Sequence, residues 1–419
     1  MRRETLDARM MGARREAIDE SHASCLMPPR VSGLTSRAPW PKITVSASHP
    51  QKLDEVCLLI ADCPHSTAQD EGQGFPLVRT PNIGNGRLIF EKMHRVSRAV
   101  YEARNKRAKP QAGDLIYARE APAGNVALIT KGQEVCLGQR TVLLRPNPTM
   151  ADSAFLTYYL LAPEQRHRLL GTATGATVTH VNLPAIRNLE VVLPPLPVQR
   201  RIADILSAYD DLIENNRRRI AILEETARLT YRKWFGGAEQ GRTATLGEVA
   251  DVVMGQSPES KTYNADGEGL PFHQGVTGFG FRYPQNEMWC TAGTRFAEEG
   301  DILFSVRAPV GRINVAGERI VIGRGLSAMR AKHNCQSWLL YTLKNHFSKE
   351  DLIGVGCIFA STTKKELLSV RLPSPADEEV SAFEQIAAPI DAQIKALSKQ
   401  NVALATARDM LLSRLMKGE

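Results

Sequence analysis

No apolar run in this 419-residue chain approaches the ~20 residues that a membrane-spanning helix needs. The N-terminal segment MRRETLDARMMGARREAIDE carries basic residues but lacks the apolar stretch of a secretory signal. The seven cysteines form no CxxC pair, and Cys57, Cys63 and His65 alone make a poor zinc site. We therefore expect reduced thiols, no metal site, no membrane partner and a cytoplasmic protein.

Motifs of enzymes that act on nucleotides or DNA are also missing. The chain has neither a GxxxxGKS/T phosphate loop nor the N/D-P-P-Y/F element of a methyltransferase. The glycines of GVTGFGF (275–281) lack the strand-to-helix context of a dinucleotide site, and His65 and Ser66 have no identifiable acid partner. No carboxylate–lysine cluster of a nuclease is evident. We therefore expect no catalytic residues in this chain.

The composition is that of a globular protein with a basic bias. Hydrophobic residues make up 43%, and 53 Lys and Arg against 45 Asp and Glu give a net charge of +8. The length is sufficient for two or three domains. A surplus of positive charge is compatible with a polyanionic partner, although many basic proteins bind no nucleic acid.

The two halves of the chain resemble each other in order. GDLIYAREAPAGNV (113–126) matches GDILFSVRAPVGRI (300–313) at an offset of 187, and LEVVLPPLP matches LLSVRLPSP further on. KLDEVCLLI (52–60) likewise resembles TLGEVADVV (245–253). Several matches in the same order indicate a tandem duplication.

Each half is predicted to contain a domain of short β-segments followed by a long helix. Apolar runs such as DLIYA and DILFSV are bounded by Gly, Pro and Asn. Residues 153–171 and 335–354 have helical spacing and each end at Gly. The predicted fold class is α+β, with two tandem-duplicated α/β domains separated by two long helices that pair as an antiparallel coiled coil.

The two long helices carry apolar residues at heptad spacing with charge on the other faces. Because Pro is tolerated in the first helical turn, Pro389 predicts that the second helix begins there, and the duplication then places the first start near Ala208. Residues 209–235 would span ~40 Å, slightly more than one turn of B-DNA. The predicted coiled-coil residues are Ile213, Ile220, Leu223, Ala227, Trp234, Ile394, Leu397, Leu404, Leu411 and Leu415.

The central segment LPPLPVQRRIADILSAYDDLIENNRRRIAILEETARLTYRKWF (193–235) resembles the central conserved region of the specificity subunit of type I restriction–modification systems. ADCPHSTAQDEGQGFPLVRTPNIGNGRL (61–88) and CLGQRTVLLRP (136–146) are similar to segments of that family's target-recognition domains. The resemblance covers roughly residues 51–419, and its central part is the most specific.

The resemblance implies a non-catalytic, DNA-binding subunit in which each recognition domain reads one half of a bipartite target. It also implies two methyltransferase subunits docked on the helices and a restriction endonuclease/translocase subunit. S-adenosylmethionine, ATP and Mg²⁺ would be bound by those partners, with no cofactor on this chain. The predicted boundaries are an N-terminal extension (1–45, a loose tail or an upstream start), domain 1 (46–196), the central helix (197–235), a linker (236–243), domain 2 (244–375) and the C-terminal helix (376–419).

Base reading requires Arg, Asn, Gln, Lys or His on loops, and phosphate contacts require Lys or Arg. The polar loop RTPNIGNGR and the strand ends supply the candidates in domain 1, which are Arg79, Thr80, Asn82, Asn85, Arg87, Arg119, Gln139 and Arg140. Those in domain 2 are Gln256, Lys261, His273, Gln274, Arg282, Arg307, Arg312 and Arg324, with Lys364 and Lys365 as phosphate contacts. Any one of them can instead be an ordinary surface charge.

Two other functions are compatible with these patterns. The chain can be a coiled-coil scaffold whose β-rich domains bind proteins, or a DNA-modifying enzyme in its own right. Salt-dependent binding to a defined bipartite duplex separates DNA recognition from the scaffold, because phosphate neutralisation releases counterions. Methylation or cleavage by the chain alone would support the enzyme.

Overall fold

A computed structural model describes residues 49–172, 180–236, 241–348 and 361–416. The predicted N-terminal extension therefore lies outside the described residues. Domain 1 precedes the first long helix and contains β1 (Gln51–Lys52), α1 (Leu53–Val56), β2 (Cys57–Asp62), β3 (Phe75–Val78), β4 (Gly86–Arg87), β5 (His94–Val96), α2 (Arg98–Arg104), β6 (Leu115–Ala118), β7 (Val126–Leu128), β8 (Cys136–Leu137), β9 (Thr141–Pro146), α3 (Ser153–Leu161), α4 (Pro163–Gly171), α5 (Leu183–Arg187) and β10 (Glu190–Val191).

The main sheet of domain 1 has the strand order β2-β9-β6-β7-β4, and a second sheet has the order β5-β3-β8. Strand β6 is buried on both faces, so it reads as a continuous apolar run instead of an alternating one. Leu115 and Tyr117 pack toward α3, whereas Ile116 and Ala118 pack on the opposite face of the sheet. The helix predicted over 153–171 divides into α3 and α4, because Pro163 starts a new first turn.

The second half contains α6 (Leu196–Phe235) and then domain 2, made of β11 (Thr243–Thr245), α7 (Leu246–Val249), β12 (Ala250–Met254), β13 (Tyr263–Asn264), β14 (Leu270–His273), β15 (Trp289–Cys290), β16 (Phe296–Ala297), β17 (Ile302–Ser305), β18 (Ile313–Val315), β19 (Ile320–Ile322), β20 (Leu326–Ala331), α8 (Gln336–Ser348), α9 (Lys364–Leu368) and β21 (Arg371–Pro373), followed by α10 (Asp377–Met416).

Domain 2 uses the same arrangement of strands as domain 1. Its four-stranded sheet β12-β20-β17-β18 is antiparallel throughout, like β2-β9-β6-β7. A parallel pair, β14 with β19, corresponds to β3 with β8. In each domain the first and last strands form an antiparallel pair, β1 with β10 and β11 with β21. We call these the root strands. Each domain is thus a mixed α/β unit with two sheets and a helix against the main sheet.

Both long helices are longer than the starts inferred from Pro389 suggested. α6 and α10 have 40 residues each, which corresponds to ~60 Å instead of ~40 Å. The predicted start of α6 near Ala208 is wrong, because the helix begins at Leu196. Gln199, which is 1% exposed, fixes this start by donating to the carbonyl oxygens of Met150 at 2.9 Å and Pro194 at 2.7 Å.

The predicted start of α10 at Pro389 is also wrong, since the helix runs through this residue. A proline inside a helix removes a backbone hydrogen bond and costs ~3 kcal/mol. Packing of the preceding turns offsets this cost. Phe383 and Ala387 are fully buried, and Glu384 accepts hydrogen bonds from the backbone N–H groups of Ser337 and Trp338 at the start of α8.

α6 and α10 pack antiparallel along their length. Asn216 Nδ2 lies 3.0 Å from Asn401 Oδ1, and Ile220 packs against Ile394 and Leu397. Toward one end, Leu412 joins the core of domain 1. Toward the other end, α6 and α10 both enter the core of domain 2. Each domain is therefore built around one end of the helix pair.

The buried face of α6 follows a seven-residue repeat over most of its length, at Gln199, Leu206, Ile213, Ile220 and Ala227. At the C-terminal end the repeat shifts by one residue, from Trp234 to Phe235. Tyr231 and Phe235 are buried at the C-terminal end, and the predicted seam residue Trp234 is 41% exposed. Among the other predicted seam positions, Leu223, Leu404, Leu411 and Leu415 are half-buried, and Ile213, Ile220, Ala227, Ile394 and Leu397 are buried.

Candidate nucleic-acid interface

Several loops of domain 1 meet at one edge of its main sheet. β2 and β6 both run antiparallel to β9, with Asp62 opposite Val142 and Ala118 opposite Thr141, so the ends of β2 and β6 lie beside the start of β9. The backbone N–H of Gly138 donates to the carbonyl oxygen of Val78 at 2.7 Å, which brings β3 to the same edge. We call these loops, at residues 63–66, 79–82, 119–124 and 138–140, the domain 1 loop edge.

Arg119 is a structural anchor of this edge and not a base reader. It is 8% exposed, and its guanidinium donates to Asp62 Oδ1 at 2.8 Å and to the carbonyl oxygen of Val181 at 2.9 Å. The third nitrogen lies 3.0 Å from His180 Nε2. Predicting Arg119 as a DNA contact was wrong, because this buried side chain uses all three guanidinium nitrogens for contacts within the domain.

Arg140 is the exposed arginine of the domain 1 loop edge. Its Nε lies 2.9 Å from Glu120 Oε2, and Glu120 also contacts His180 Nδ1. Arg140 has a φ of 66°, so the backbone turns sharply at this residue. The charge of Arg140 is partly balanced by Glu120, but the side chain stays 55% exposed and accessible to a ligand.

The remaining candidates of this loop edge divide by burial. Thr80 is 6% exposed and donates to the carbonyl oxygen of Ala121 at 3.0 Å. Asn82 is 3% exposed and closes its own turn by accepting from the N–H of Arg79 at 3.2 Å. Thr80 and Asn82 therefore shape the loop, and their prediction as base readers was wrong. Arg79 and Gln139 are half-buried, with the amide of Gln139 donating to the carbonyl oxygen of His65.

Domain 2 has a corresponding loop edge at the ends of β12, β14, β17 and β19. The N–H of Gln256 donates to the carbonyl oxygen of Ile322 at 3.0 Å, and the N–H of Gly325 donates to that of Gln274 at 3.0 Å. A Cβ on Gly255 would lie 2.2 Å from the carbonyl oxygen of Gly323, so this close approach requires glycine. The loops thereby place Gln256, Gln274 and Arg324 next to one another, and all three are exposed.

Arg307 and Arg312 belong to the same edge. They lie on the loop between β17 and β18, where the N–H of Ser305 donates to the carbonyl oxygen of Arg312 at 2.9 Å. The guanidinium groups of Arg307, Arg312 and Arg324 are exposed and form no ion pair with any residue that the structure describes. Unpaired guanidinium groups at a loop edge are suited to binding phosphates or the acceptor edge of a base.

His273 lies beneath this edge and was wrongly predicted to read bases. It is 4% exposed, and its Nε2 lies 3.0 Å from Asn286 Oδ1. Burial lowers the pKa of His273 from its ordinary value of 6.5, and this effect outweighs the hydrogen bond to Asn286 and the charges of Glu318 and Glu287. The neutral imidazole supports the loop that carries Gln274.

Two of the predicted DNA contacts turn toward the long helices instead. Arg282 is 4% exposed and pairs with Glu224 of α6 and Asp391 of α10. Arg87 pairs with Asp211 of α6, and its side chain is 43% exposed. The prediction for Arg282 was wrong, because this buried guanidinium lies between two helix carboxylates. The prediction for Arg87 stays a prediction, since its side chain keeps surface exposure. Asn85 is exposed on the same turn as Arg87.

The predicted lysines lie on the surface of domain 2. Lys261 is exposed and 2.5 Å from Glu259 Oε2. Lys364 and Lys365 are exposed at the start of α9. Among the residues that the structure describes, none of these three lysines contacts the loop edge of domain 2.

Glu120 and His180 were not predicted from the sequence as part of this site. Glu120 lies in the domain 1 loop edge and contacts both Arg140 and His180, so His180 lies next to this edge. The internal repeat contained a signal for Glu120, because the offset of 187 aligns it with Arg307 in domain 2. The two domains thus carry opposite charges at corresponding positions. His180 is 61 residues from Arg119, and no local pattern connects them.

Within the described segments, no group of His, Cys, Asp or Glu is arranged to hold a metal ion. None of the described helices has the combination of length and apolarity that a membrane span requires.

Comparison with known proteins identifies the family. Residues 49–225 match the family model of the type I restriction modification DNA specificity domain. The MjaX specificity subunit of a type I restriction enzyme from Methanocaldococcus jannaschii is 29% identical, over 83% of this chain and 87% of the relative. The HsdS subunit from Thermoanaerobacter tengcongensis is 30% identical, with 88% of this chain and 96% of that chain covered and a TM-score of 0.34. The chain belongs to the type I restriction–modification specificity subunits.

The fold agrees with a more distant member of the family. The S subunit of a type I restriction–modification system from M. genitalium is 17% identical and has a TM-score of 0.54, with 88% of this chain and 95% of that chain covered. The specificity subunit described here therefore shares the overall fold of that S subunit.

Proposed function

We propose that this specificity subunit reads a bipartite DNA target, one half with the loop edge of each domain, while α6 and α10 set the distance between the halves. The observation that carries this proposal is the pair of corresponding loop edges at opposite ends of one antiparallel helix pair. In domain 1 the proposed reading residues are the exposed Arg140 and, near it, the half-buried Arg79 and Gln139. In domain 2 they are Gln256, Gln274, Arg307, Arg312 and Arg324.

The residue types at these edges suit base recognition. Arginine donates two hydrogen bonds to guanine O6 and N7, and glutamine pairs in the same way with adenine N6 and N7 in the major groove. A tandem duplication accounts for the shared strand order and for the matching sequence of the two halves. Two similar readers at the ends of antiparallel helices match the approximate twofold symmetry of the duplex backbone.

We further propose that the helices dock two methyltransferase subunits and that a restriction endonuclease/translocase subunit joins them in the cytoplasm. Exposed apolar side chains on α6 and α10 support a docking role, because the part of the chain that the structure describes leaves them uncovered. Leu212, Ile222 and Leu229 are 50%, 66% and 51% exposed, and Val402 is 69% exposed. S-adenosylmethionine, ATP and Mg²⁺ would be bound by those partners.

A double substitution tests the reading role of domain 2. Arg307→Ala/Arg324→Ala, in the full chain purified with its methyltransferase subunits, is expected to weaken binding to the target at least tenfold, because one base contact is worth ~1–3 kcal/mol. Binding is measured over a salt series on a duplex chosen by mapping methylated bases in a host that carries the gene. The mapped sites should become degenerate in one half only.

Arg371→Ala is the matched control. Arg371 is also exposed in domain 2, but it lies in the root strand β21, with its Nη1 3.1 Å from Thr243 Oγ1. The control should bind like the wild type. Loss of specificity in both halves, or unchanged binding by the double variant, would contradict the assignment of this loop edge. Absence of salt-dependent DNA binding by the wild-type complex would favour a protein scaffold.

A further inference from the structure

Four charged side chains and a tyrosine form a cluster where domain 2 meets the two long helices. Arg282 comes from the loop between β14 and β15, and its Nη1 lies 2.7 Å from Glu224 Oε2 on α6. Its other terminal nitrogen contacts Asp391 on α10. Lys344 of α8 also contacts Glu224, and the hydroxyl of Tyr341 donates to Asp391 Oδ1 at 3.0 Å. We call these five residues the domain 2 charge cluster.

The domain 2 charge cluster is shielded from water. The side chain of Arg282 is 3% exposed, that of Glu224 14% and that of Asp391 18%. Its two cations and two carboxylates balance each other. Buried charges are tolerated only while they keep their partners at hydrogen-bonding distance, so their energy rises steeply when one element moves. The cluster therefore holds domain 2, α6 and α10 in one relative orientation.

Domain 1 has a corresponding but more exposed set of contacts. Arg87 pairs with Asp211 of α6, at a point where the side chain of Arg87 is 43% exposed. The adjacent Asp210 accepts from the hydroxyl of Tyr158 at 2.6 Å and pairs with Arg408 of α10 at 2.5 Å. Asp210 aligns with Asp391 at the offset of 181 that relates the two helices. In both domains an arginine and a tyrosine thus contact helix carboxylates. The domain 1 contacts go to α6, and Arg408 of α10 joins them through Asp210.

These contacts are separate from the residues proposed to read DNA. The carbonyl oxygen of Arg282 accepts from the N–H of Val315 at 3.0 Å, and Val315 pairs with Ile302 at the start of β17. Arg307 follows the other end of β17, ~10 Å away by the rise of a strand. A change at Arg282 can therefore alter the orientation of the domain without removing a base contact.

We propose that Arg282, and Arg87 in domain 1, are positioning residues that hold the recognition domains on the helix pair and so determine how strictly the spacing between the two half-sites is measured. The proposal rests on the proposed function. One additional base pair moves a half-site ~3.4 Å along the duplex and rotates it by roughly 35°. A domain that follows this movement must tilt on the helices and separate the charges of its cluster.

The test compares methylation by the full chain and its methyltransferase subunits on three duplexes. They carry the mapped half-sites at the natural spacing and with one base pair removed or added. In Arg282→Met, the preference for the natural spacing is expected to fall by about fivefold or more, the scale of one lost recognition contact. The penalties for base changes within either half-site should stay as in the wild type. Arg282→Lys keeps the charge but cannot contact both carboxylates in the same geometry. Its spacing preference should lie between those of the wild type and Arg282→Met.

Arg319→Met is the control in the same domain, since Arg319 is exposed and pairs with Glu298 instead of the helices. Equal loss of methylation on all three duplexes, or an unchanged spacing preference in a folded Arg282→Met protein, would overturn the proposal. If thermal melting shows that Arg282→Met is unfolded, the same methylation comparison is made with Arg87→Met, whose position is more exposed. The preference for the natural spacing is again the measured quantity. A wild-type complex without any spacing preference would instead refute the proposed function.

Discussion

At the scale of the residue, burial distinguishes side chains that can reach DNA from those that support the loops. His273 and Gln274 are neighbours in the chain, but the imidazole is 4% exposed while the amide is on the surface. The difference arises because His273 is the last residue of the buried strand β14, and the chain leaves the sheet at Gln274. The composition of the loop could not indicate which of the two faces outward.

The lowered pKa of His273 predicts a dependence of stability on pH. Below the ordinary pKa of 6.5 the unfolded chain takes up a proton more readily than the folded one. The contribution of His273 is therefore present above that pH and is lost as the pH falls toward the folded-state pKa. His273→Gln should flatten the decrease of the thermal midpoint between pH 7.5 and 5.5. Val402→Ala, at a 69% exposed position, should keep the wild-type profile; equal slopes for all three proteins would contradict this.

At the scale of the element, α10 shows how tertiary contacts override a local rule. Pro389 is exposed on a helix whose neighbouring residues Phe383, Ala387 and Ile394 are fully buried. The local rule correctly states that proline disfavours a helix interior. It could not include the aromatic contacts of Phe383 with Tyr231, Phe235 and Tyr341, which hold the preceding turns in place.

Pro389→Ala is therefore expected to stabilise the protein. The substitution restores a backbone hydrogen bond worth most of the ~3 kcal/mol cost of an interior proline, less ~1 kcal/mol for the freer unfolded chain, so the net gain is about 2 kcal/mol. The free energy of unfolding is measured by denaturant titration. Ala403→Pro, at another exposed position of α10, should destabilise. A destabilised Pro389→Ala protein would mean that helix packing depends on a bend at this residue.

At the scale of the whole molecule, the helix pair combines an approximate symmetry with a unique register. The contact of Asn216 with Asn401 lies next to that of Ile220 with Leu397. At the repeat offset of 181, Asn216 corresponds to Leu397 and Ile220 to Asn401. The symmetry that relates the two halves therefore places a polar pair where the other half has an apolar pair. A buried polar pair of this kind favours a single alignment of two helices.

Lengthening both helices tests their role as a spacer. Seven residues inserted after Arg218 and seven after Lys399 keep the buried face in phase and extend the pair by about 10 Å. The mapped target should then have a longer unread spacer and the same two half-sites. Exchange of residues 51–192 for the corresponding domain of another family member should change one half-site only. A changed half-site after the insertions would contradict the spacer role.

Much of this protein is determined by its sequence alone. Periodicity predicted two long helices, runs such as DLIYA and DILFSV predicted the strands β6 and β17, and the internal repeat predicted two domains of one plan. These features depend on residues that are near one another in the chain. Which arginines face outward depends on partners far away: Arg282 meets Asp391 across 109 positions, and Arg119 meets Asp62 across 57. Only the tertiary structure decided between anchor and exposed residue, because a charge is neutralised by what folding brings beside it.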